Sequence, residues 1–171
     1  RQLDLPEAFY PLHAYICEQC YLVQLSEYVS PEHIYSDYPY FSSYSESWKE
    51  HARHYCDTMI KQFELGSDSL VMEIASNDGY LLQNFVRLNI PCLGIEPTAS
   101  TAAAAEKLGV PVIQEFFGVS LAKRLLESEQ QADLIIGNNV YAHVPNINDF
   151  TAGMKILLKP GGTITLEFPH L

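Results

Sequence analysis

The stretch Val71-Met72-Glu73-Ile74-Ala75-Ser76-Asn77-Asp78-Gly79 is where an apolar run stops at a turn of small residues and a helical pattern begins. It reads as strand, tight turn and helix, with the helix expected over 79–89. Such a junction leaves backbone N–H groups at a helix N-terminus and lets the chain approach a small ligand closely. The next apolar run, Cys92-Leu93-Gly94-Ile95, ends on a second acid, Glu96. In a doubly wound sheet, a carboxylate at the end of the second strand accepts hydrogen bonds from ribose hydroxyls.

Working outward, strand patterns fall near 70–75, 92–96, 111–115, 133–138 and 162–168. Helical spacing fills 79–89, 98–108, 118–130 and 147–158, with stop signals at Gly109 and Pro160-Gly161-Gly162. The connections are too long for hairpins. Alternation of this kind implies parallel strands joined by right-handed crossovers, with helices on both faces. Thr98 is the expected N-cap of the second helix, and Ala102 to Ala105 allow it to pack closely on the sheet.

The chain has 171 residues, 47% of them hydrophobic, enough to bury a core in one domain with a small appendage. A formal net charge of −11 argues against nucleic acid or an anionic membrane as partner, because the electrostatic term would be repulsive. No apolar run is long enough to span a bilayer and no charged-then-apolar leader opens the chain, so a cytoplasmic location is expected. Nine of the eleven tyrosines precede residue 66, which places a compositional boundary near Gly66. The chain begins without Met and stops just after the apolar run Thr163 to Phe168, the expected look of a fragment of a longer protein.

Before that boundary, Cys17-Glu18-Gln19-Cys20 lies between two short β-prone runs, with the spacing of one zinc knuckle. Tetrahedral zinc needs four ligands, and no second knuckle follows. Cys17 and Cys20 are therefore expected to be half of a zinc site. A redox motif would instead open a helix after a thioredoxin-like strand. Residues 26–46, rich in Tyr, Ser and Pro, read as an ordered loop, and tyrosines such as Tyr40 and Tyr44 suit the covering of an adenosine or sugar pocket. Residues 47–65 read as a helix with a Ser47–Glu50 capping box, a stripe of Trp48, Ala52, Tyr55, Met59 and Phe63, and a stop at Leu65-Gly66. His51 and His54 fall at the edge of that stripe or outside it and are expected to be solvated.

The turn discriminates between ligands. A dinucleotide fingerprint needs glycines where Ala75 and Asn77 stand, and only Gly79 is kept. Asn tolerates the left-handed conformation, so the sharp turn survives. Asp78 at the start of the following helix would repel a pyrophosphate. S-adenosylmethionine has no phosphate and carries a sulfonium and an ammonium, so Glu73 and Asp78 can sit near its methionine end. Two rivals remain: an NAD-dependent sugar-modifying enzyme, which needs the missing glycines, and a non-catalytic Rossmann-like binding module.

Taken with Gly94-Ile95-Glu96-Pro97-Thr98, Glu115-Phe116-Phe117-Gly118, Asn138-Asn139-Val140-Tyr141-Ala142-His143-Val144-Pro145 and Leu158-Lys159-Pro160-Gly161-Gly162-Thr163, the turn resembles class I S-adenosylmethionine-dependent methyltransferases. The closer resemblance is to the sugar C-methyltransferases, which join an N-terminal zinc module, a methyltransferase core and a C-terminal domain. It implies an α/β, Rossmann-like, doubly wound parallel sheet of order 3-2-1-4-5, with its last strands missing. The division implied is a partial zinc hairpin and Tyr-rich loop over 1–46, a connecting helix over 47–66 and a truncated cofactor-binding core over 67–171. It places Ala75, Asn77 and Gly79 beside the methionine part of S-adenosylmethionine, Glu96 on the ribose and Phe116 near the adenine. Asn138, Asn139 and His143 would line the end of the fourth strand, and zinc would be bound in the full-length protein. The reaction implied is C-methylation of a nucleotide-linked keto-deoxysugar. The family's main acid/base cluster lies beyond the fifth strand, leaving His143, Glu167 and His170 as catalytic candidates. The chain alone is expected to bind the cofactor weakly without turnover, and an exposed fifth strand could pair two copies.

Overall fold

A computed structural model describes residues 7, 9–35 and 40–169. The chain falls into two compact units, Arg1–Ile34 and Tyr35–Leu171. The first holds an antiparallel hairpin of β1 (Ala14–Ile16) and β2 (Val23–Leu25), with Ala14 opposite Leu25 and Ile16 opposite Val23. In its loop, Tyr21 takes a left-handed φ of 60°, its N–H donates to the Cys17 carbonyl at 2.9 Å, and the Cys17 N–H donates to the Leu22 carbonyl at 3.0 Å. So small a unit buries little, and Leu12 and Ile16 remain 89% and 65% exposed. The short helix α1 (Pro31–Tyr35) follows.

In the second unit, a 3-10 turn at Ser42–Tyr44 leads into α2 (Glu46–Gln62). The expected Ser47–Glu50 capping box does not form, because the helix begins one residue earlier and Ser47 already lies in its first turn. Ser45 is the cap instead, its hydroxyl accepting from the Trp48 N–H at 3.2 Å. At the other end, Glu64 rather than glycine takes the left-handed turn, with φ 51°, while the Leu65 N–H reaches back to the Ile60 carbonyl at 3.1 Å.

The remaining elements are β3 (Val71–Ile74), α3 (Gln83–Arg87), β4 (Cys92–Ile95), α4 (Ala99–Lys107), β5 (Val112–Ile113), α5 (Val119–Glu127), β6 (Ala132–Asn138), α6 (Ile147–Leu157) and β7 (Leu158–Glu167). Their strands form one parallel sheet in the order β5-β4-β3-β6-β7, which is 3-2-1-4-5 counted along this unit. The aromatic segment from Tyr35 and α2 belong to the same compact unit as this sheet. The composition break at Gly66 therefore does not coincide with the division between units, because α2 buries Ala52 and Cys56 in the core beside β3.

Alternation along the strands builds two apolar layers. Val71 of β3 and Leu134 and Ile136 of β6 point to the face covered by α2, the turn after β3 and α3, where Ala52, Leu81 and Phe85 are buried. Met72, Ile74 and Ile135 point to the opposite face, against Leu121 and Leu125 of α5 and Met154 and Leu157 of α6. Each such side chain, fully buried, contributes about 1.5–3 kcal/mol.

Two expected elements come out differently. The first helix of the sheet begins at Gln83 rather than Gly79, so Asp78 does not stand at a helix start. Pro160-Gly161-Gly162 does not separate helix from strand. Leu158 already pairs with Ala132, and the regular register resumes at Leu134 opposite Thr163, so the Pro-Gly-Gly residues form an irregularity inside β7. Gly161 takes a φ of 82° there. Among the described residues, no helix is long and apolar enough to cross a membrane.

Candidate functional site

The turn after β3 is built from three left-handed residues at alternate positions, Ala75 at φ 59°, Asn77 at φ 49° and Gly79 at φ 75°. The Ala75 and Ser76 N–H groups donate to the Ile95 carbonyl at 2.8 and 3.3 Å, holding the turn against the end of β4. Glu96 locks it further. One carboxylate oxygen accepts from the Asn77 N–H and the other from the Thr98 N–H, both at 2.9 Å. Gly79 has no room for a side chain, since a Cβ would lie 2.9 Å from the Ala105 Cβ and 3.1 Å from its Cα. The left-handed Asn77 is as the sequence indicates. Asp78, expected at a helix start, is instead 2% exposed within the turn, with Oδ2 accepting from the Ser43 N–H at 3.1 Å.

Glu73, Asp78 and Glu96 make this corner strongly acidic. Burial, followed by the charges of Glu96 and Asp78, pushes the Glu73 carboxyl well above the usual range. Among the described residues, three buried atoms here have no hydrogen-bond partner: Glu73 Oε2, Ser76 Oγ and Asp78 Oδ1. Buried polar atoms are ordinarily satisfied, so three such orphans at one turn make it the candidate ligand site.

On the far side of Glu96, Thr98 occupies the N-cap position of α4, but its hydroxyl does not cap the helix. It donates to the Tyr35 carbonyl at 3.0 Å. The Tyr35 ring stands edge-on to Phe116, with centroids 6.4 Å apart, and Phe116 is 42% exposed. Tyr40 reaches the turn through its backbone, its carbonyl accepting from Asn77 Nδ2 at 3.0 Å.

Beside the turn, a cavity of about 310 Å³ opens between α2 and the ends of β6 and β7, lined by His51, Tyr55, Tyr80, Asn138, Thr165 and Glu167 among others. Asn139, left-handed at φ 52°, ties the two strand ends together. Its N–H donates to the Glu167 carbonyl at 2.7 Å and its Nδ2 to Glu167 Oε1 at 3.3 Å. His51 stacks on Trp48 with centroids 5.2 Å apart, and its Nε2 lies 4.0 Å from Glu167 Oε2. Burial pushes the Tyr55 phenol up to about 12 and raises that of Tyr80 as well, so both remain protonated donors.

His51 is thus a cavity residue as well as a solvated one. Its place could have been read from the sequence, since positions 48, 51, 52 and 55 share one face of a helix. The same face carries Tyr55, whereas Tyr80 and Thr165 carried no such signal. His143, exposed at the end of a 3-10 turn at Tyr141–His143, is not among the residues lining the cavity. His170 lies outside the described residues. In the first unit, backbone N–H groups of Cys20 and Gln19 hold the Cys17 thiol below its usual value. Among the described residues, no group of three or more His, Cys, Asp or Glu could hold a metal ion.

Comparison with known proteins gives this geometry a setting. Residues 72–164 match a family model described as "Methyltransferase domain", and residues 1–35 match one described as "Putative zinc binding domain". The chain is 28% identical over 165 residues to the C-methyltransferase NovU of Streptomyces niveus, a match covering 96% of this chain and 39% of that protein. It is 25% identical over 123 residues to a ubiquinone biosynthesis O-methyltransferase of Bradyrhizobium sp., covering 65% of this chain and 47% of that one. The chain therefore spans less than half the length of these relatives. Among solved structures, Streptomyces venezuelae DesVI superposes with a TM-score of 0.56 at 14% identity, over 73% of this chain and 52% of that one. The glycopeptide N-methyltransferase MtfA complexed with sinefungin gives 0.52 at 16% identity, over 80% of this chain and 57% of that one.

Proposed function

Because this chain belongs to the methyltransferase domain family, we propose that Tyr35–Leu171 binds S-adenosylmethionine across the ends of β3 and β4 and presents its methyl group toward the cavity beside β6 and β7. The observation that carries this reading is the set of unpartnered buried atoms on Glu73, Ser76 and Asp78. A ligand with cationic groups supplies what those carboxyls lack. A dinucleotide would bring a pyrophosphate against three acids, to a turn whose following helix begins only at Gln83. The residues present therefore fit the sulfonium cofactor.

When bound, S-adenosylmethionine supplies an electrophilic methyl group. Glu73 and Asp78 face its methionine end, where a positive charge lets Glu73 give up its proton and become a carboxylate. Glu96 already accepts two backbone N–H groups, and an ionised carboxylate has lone-pair sites to spare for the ribose hydroxyls. Phe116 and Tyr35 flank the adenine. Ala75 and Gly79 keep the backbone close to the ligand, while Asn138 and Asn139 form the boundary between cofactor and acceptor.

The acceptor is held in the cavity, where the Tyr55 and Tyr80 hydroxyls donate and Glu167 with His51 forms the wall that can orient or take a proton. The resemblance to sugar C-methyltransferases, together with the similarity to NovU, supports a nucleotide-linked keto-deoxysugar as acceptor and carbon as the methylated atom. Cys17 and Cys20 would provide two of four zinc ligands in the whole protein. The edge strand β7 offers its open side to a second copy, which sedimentation equilibrium would detect as a dimer.

Isothermal titration of the chain with S-adenosylhomocysteine and NAD tests the cofactor assignment. Binding of the sulfur nucleoside but not NAD, weakened at least about tenfold in Glu96→Gln, is expected, one charge-assisted hydrogen bond being worth about that much. Binding of NAD alone would favour the sugar-modifying oxidoreductase. Binding of neither would leave a non-catalytic scaffold.

A further inference from the structure

The two side chains that follow one another at the centre of the turn are occupied, and by the same neighbour. Asn77 Oδ1 accepts from the Ser42 N–H at 2.9 Å and Asn77 Nδ2 donates to the Tyr40 carbonyl at 3.0 Å. Asp78 Oδ2 accepts from the Ser43 N–H at 3.1 Å. Three backbone groups of residues 40–43 are thus held by two adjacent side chains, and Ser42 is only 8% exposed as a result. The same Asn77 uses its own N–H on Glu96 Oε2. One residue therefore links the carboxylate assigned to the ribose with the segment that runs across the turn.

This explains a cost in the sequence. A left-handed φ of 49° is most easily adopted by glycine, yet glycine has no side chain with which to hold anything. Asn is the residue that both tolerates this backbone and offers a donor and an acceptor on one planar group. The adjacent Asp78 adds a third bond while leaving its other oxygen, Oδ1, unpartnered and buried.

We propose that Asn77 and Asp78 are positioning residues that clasp residues 40–44 over the methionine end of the cofactor site, so that cofactor enters and leaves only when the clasp releases. Asn77 then acts on the cofactor through the segment it holds, in place of a direct side-chain contact. This rests on the S-adenosylmethionine reading above.

The discriminating variant is Asn77→Gly in the full 171-residue chain. It keeps the left-handed backbone and the N–H to Glu96, removes the two clasp bonds made by the Asn77 side chain while leaving that of Asp78, and introduces a glycine, which adopts this backbone without strain. Amide hydrogen exchange at Ser42 and Ser43 and the dissociation rate of S-adenosylhomocysteine by stopped flow are measured in both proteins, with the thermal midpoint as control. Expected are faster exchange at the Ser42 amide, whose acceptor is removed, and dissociation quickened about tenfold or more, the equivalent of one to two lost hydrogen bonds, with a cooperative thermal transition retained. Unchanged exchange, or faster exchange with unchanged dissociation, overturns the proposal while leaving the cofactor reading intact. Failure of the wild-type chain to bind S-adenosylhomocysteine overturns both.

Discussion

At position 73 a carboxyl lies wholly inside the protein, and burial together with Glu96 and Asp78 keeps it protonated above the usual carboxylate range. The folded chain thus holds a proton over a range in which the unfolded chain has released it, so this group's contribution to stability declines as pH rises from the ordinary glutamate value through the raised one. Glu73→Gln is therefore expected to stabilise the protein by about 1 kcal/mol near neutrality and to flatten that decline, while abolishing cofactor binding. Urea denaturation across this pH range, paired with titration of S-adenosylhomocysteine, reads both effects. Gly79→Ala is expected to cost about 2–4 kcal/mol in the same assay, because the left-handed backbone and the Ala105 contact both penalise a Cβ. Glu73, Glu96 and Gly79 were legible because an acid within or ending an apolar run and a glycine after a small-residue turn stand out locally. The orphaned Ser76 hydroxyl and the double use of Asn77 were not, since each depends on a partner supplied from elsewhere in the chain.

The ends of elements depend on single hydrogen bonds. Ser45→Ala should destabilise the protein by about 1 kcal/mol, and Ser47→Ala by no more than a few tenths, because only the Ser45 hydroxyl caps α2. Thermal or urea unfolding followed by circular dichroism distinguishes the two. A second junction joins β3, β6 and β7. Asp133 Oδ2 accepts from the Leu70 N–H and from Lys159 Nζ, each at 2.7 Å. Burial alone would raise the Asp133 carboxyl, but the lysine and the backbone N–H hold it below its usual value. Its contribution is present above the ordinary aspartate value and is lost as pH falls through the lowered one. Asp133→Asn should weaken the protein by about 1 kcal/mol at neutral pH and remove part of its acid sensitivity. That junction sits where the sequence shows only Pro-Gly-Gly. Breakers signal an interruption without saying whether it is a loop or an irregularity within a strand. The late start of α3 escaped notice for a related reason, since residues 79–82 have helical spacing but are committed to the turn.

At the scale of the molecule, two compact units divide before Tyr35, and the single tryptophan, Trp48, lies in the second. Its fluorescence therefore reports on the sheet-bearing unit alone. Thermal unfolding read at Trp48 is expected to be the same with and without excess zinc or chelator, even if the thiols of Cys17 and Cys20 bind metal, because those residues belong to the other unit. A shift of that transition on chelation would show the two units to be coupled. The sequence by itself determined the parallel alternation, the order in which strands and helices follow, and the acids in the first strand of the sheet and at the end of the second. These are properties of periodicity and of residue type along a short stretch, and they survive any arrangement of neighbours. Only the tertiary structure decided that residues 40–44 lie on the turn, that α2 brings His51 and Tyr55 to the ends of β6 and β7, and that Glu73, Ser76 and Asp78 are left with unpartnered atoms. Hydrogen bonds between residues some thirty-five positions apart and the burial that raises a carboxyl's pKa arise from packing, and packing leaves no periodic trace in the chain.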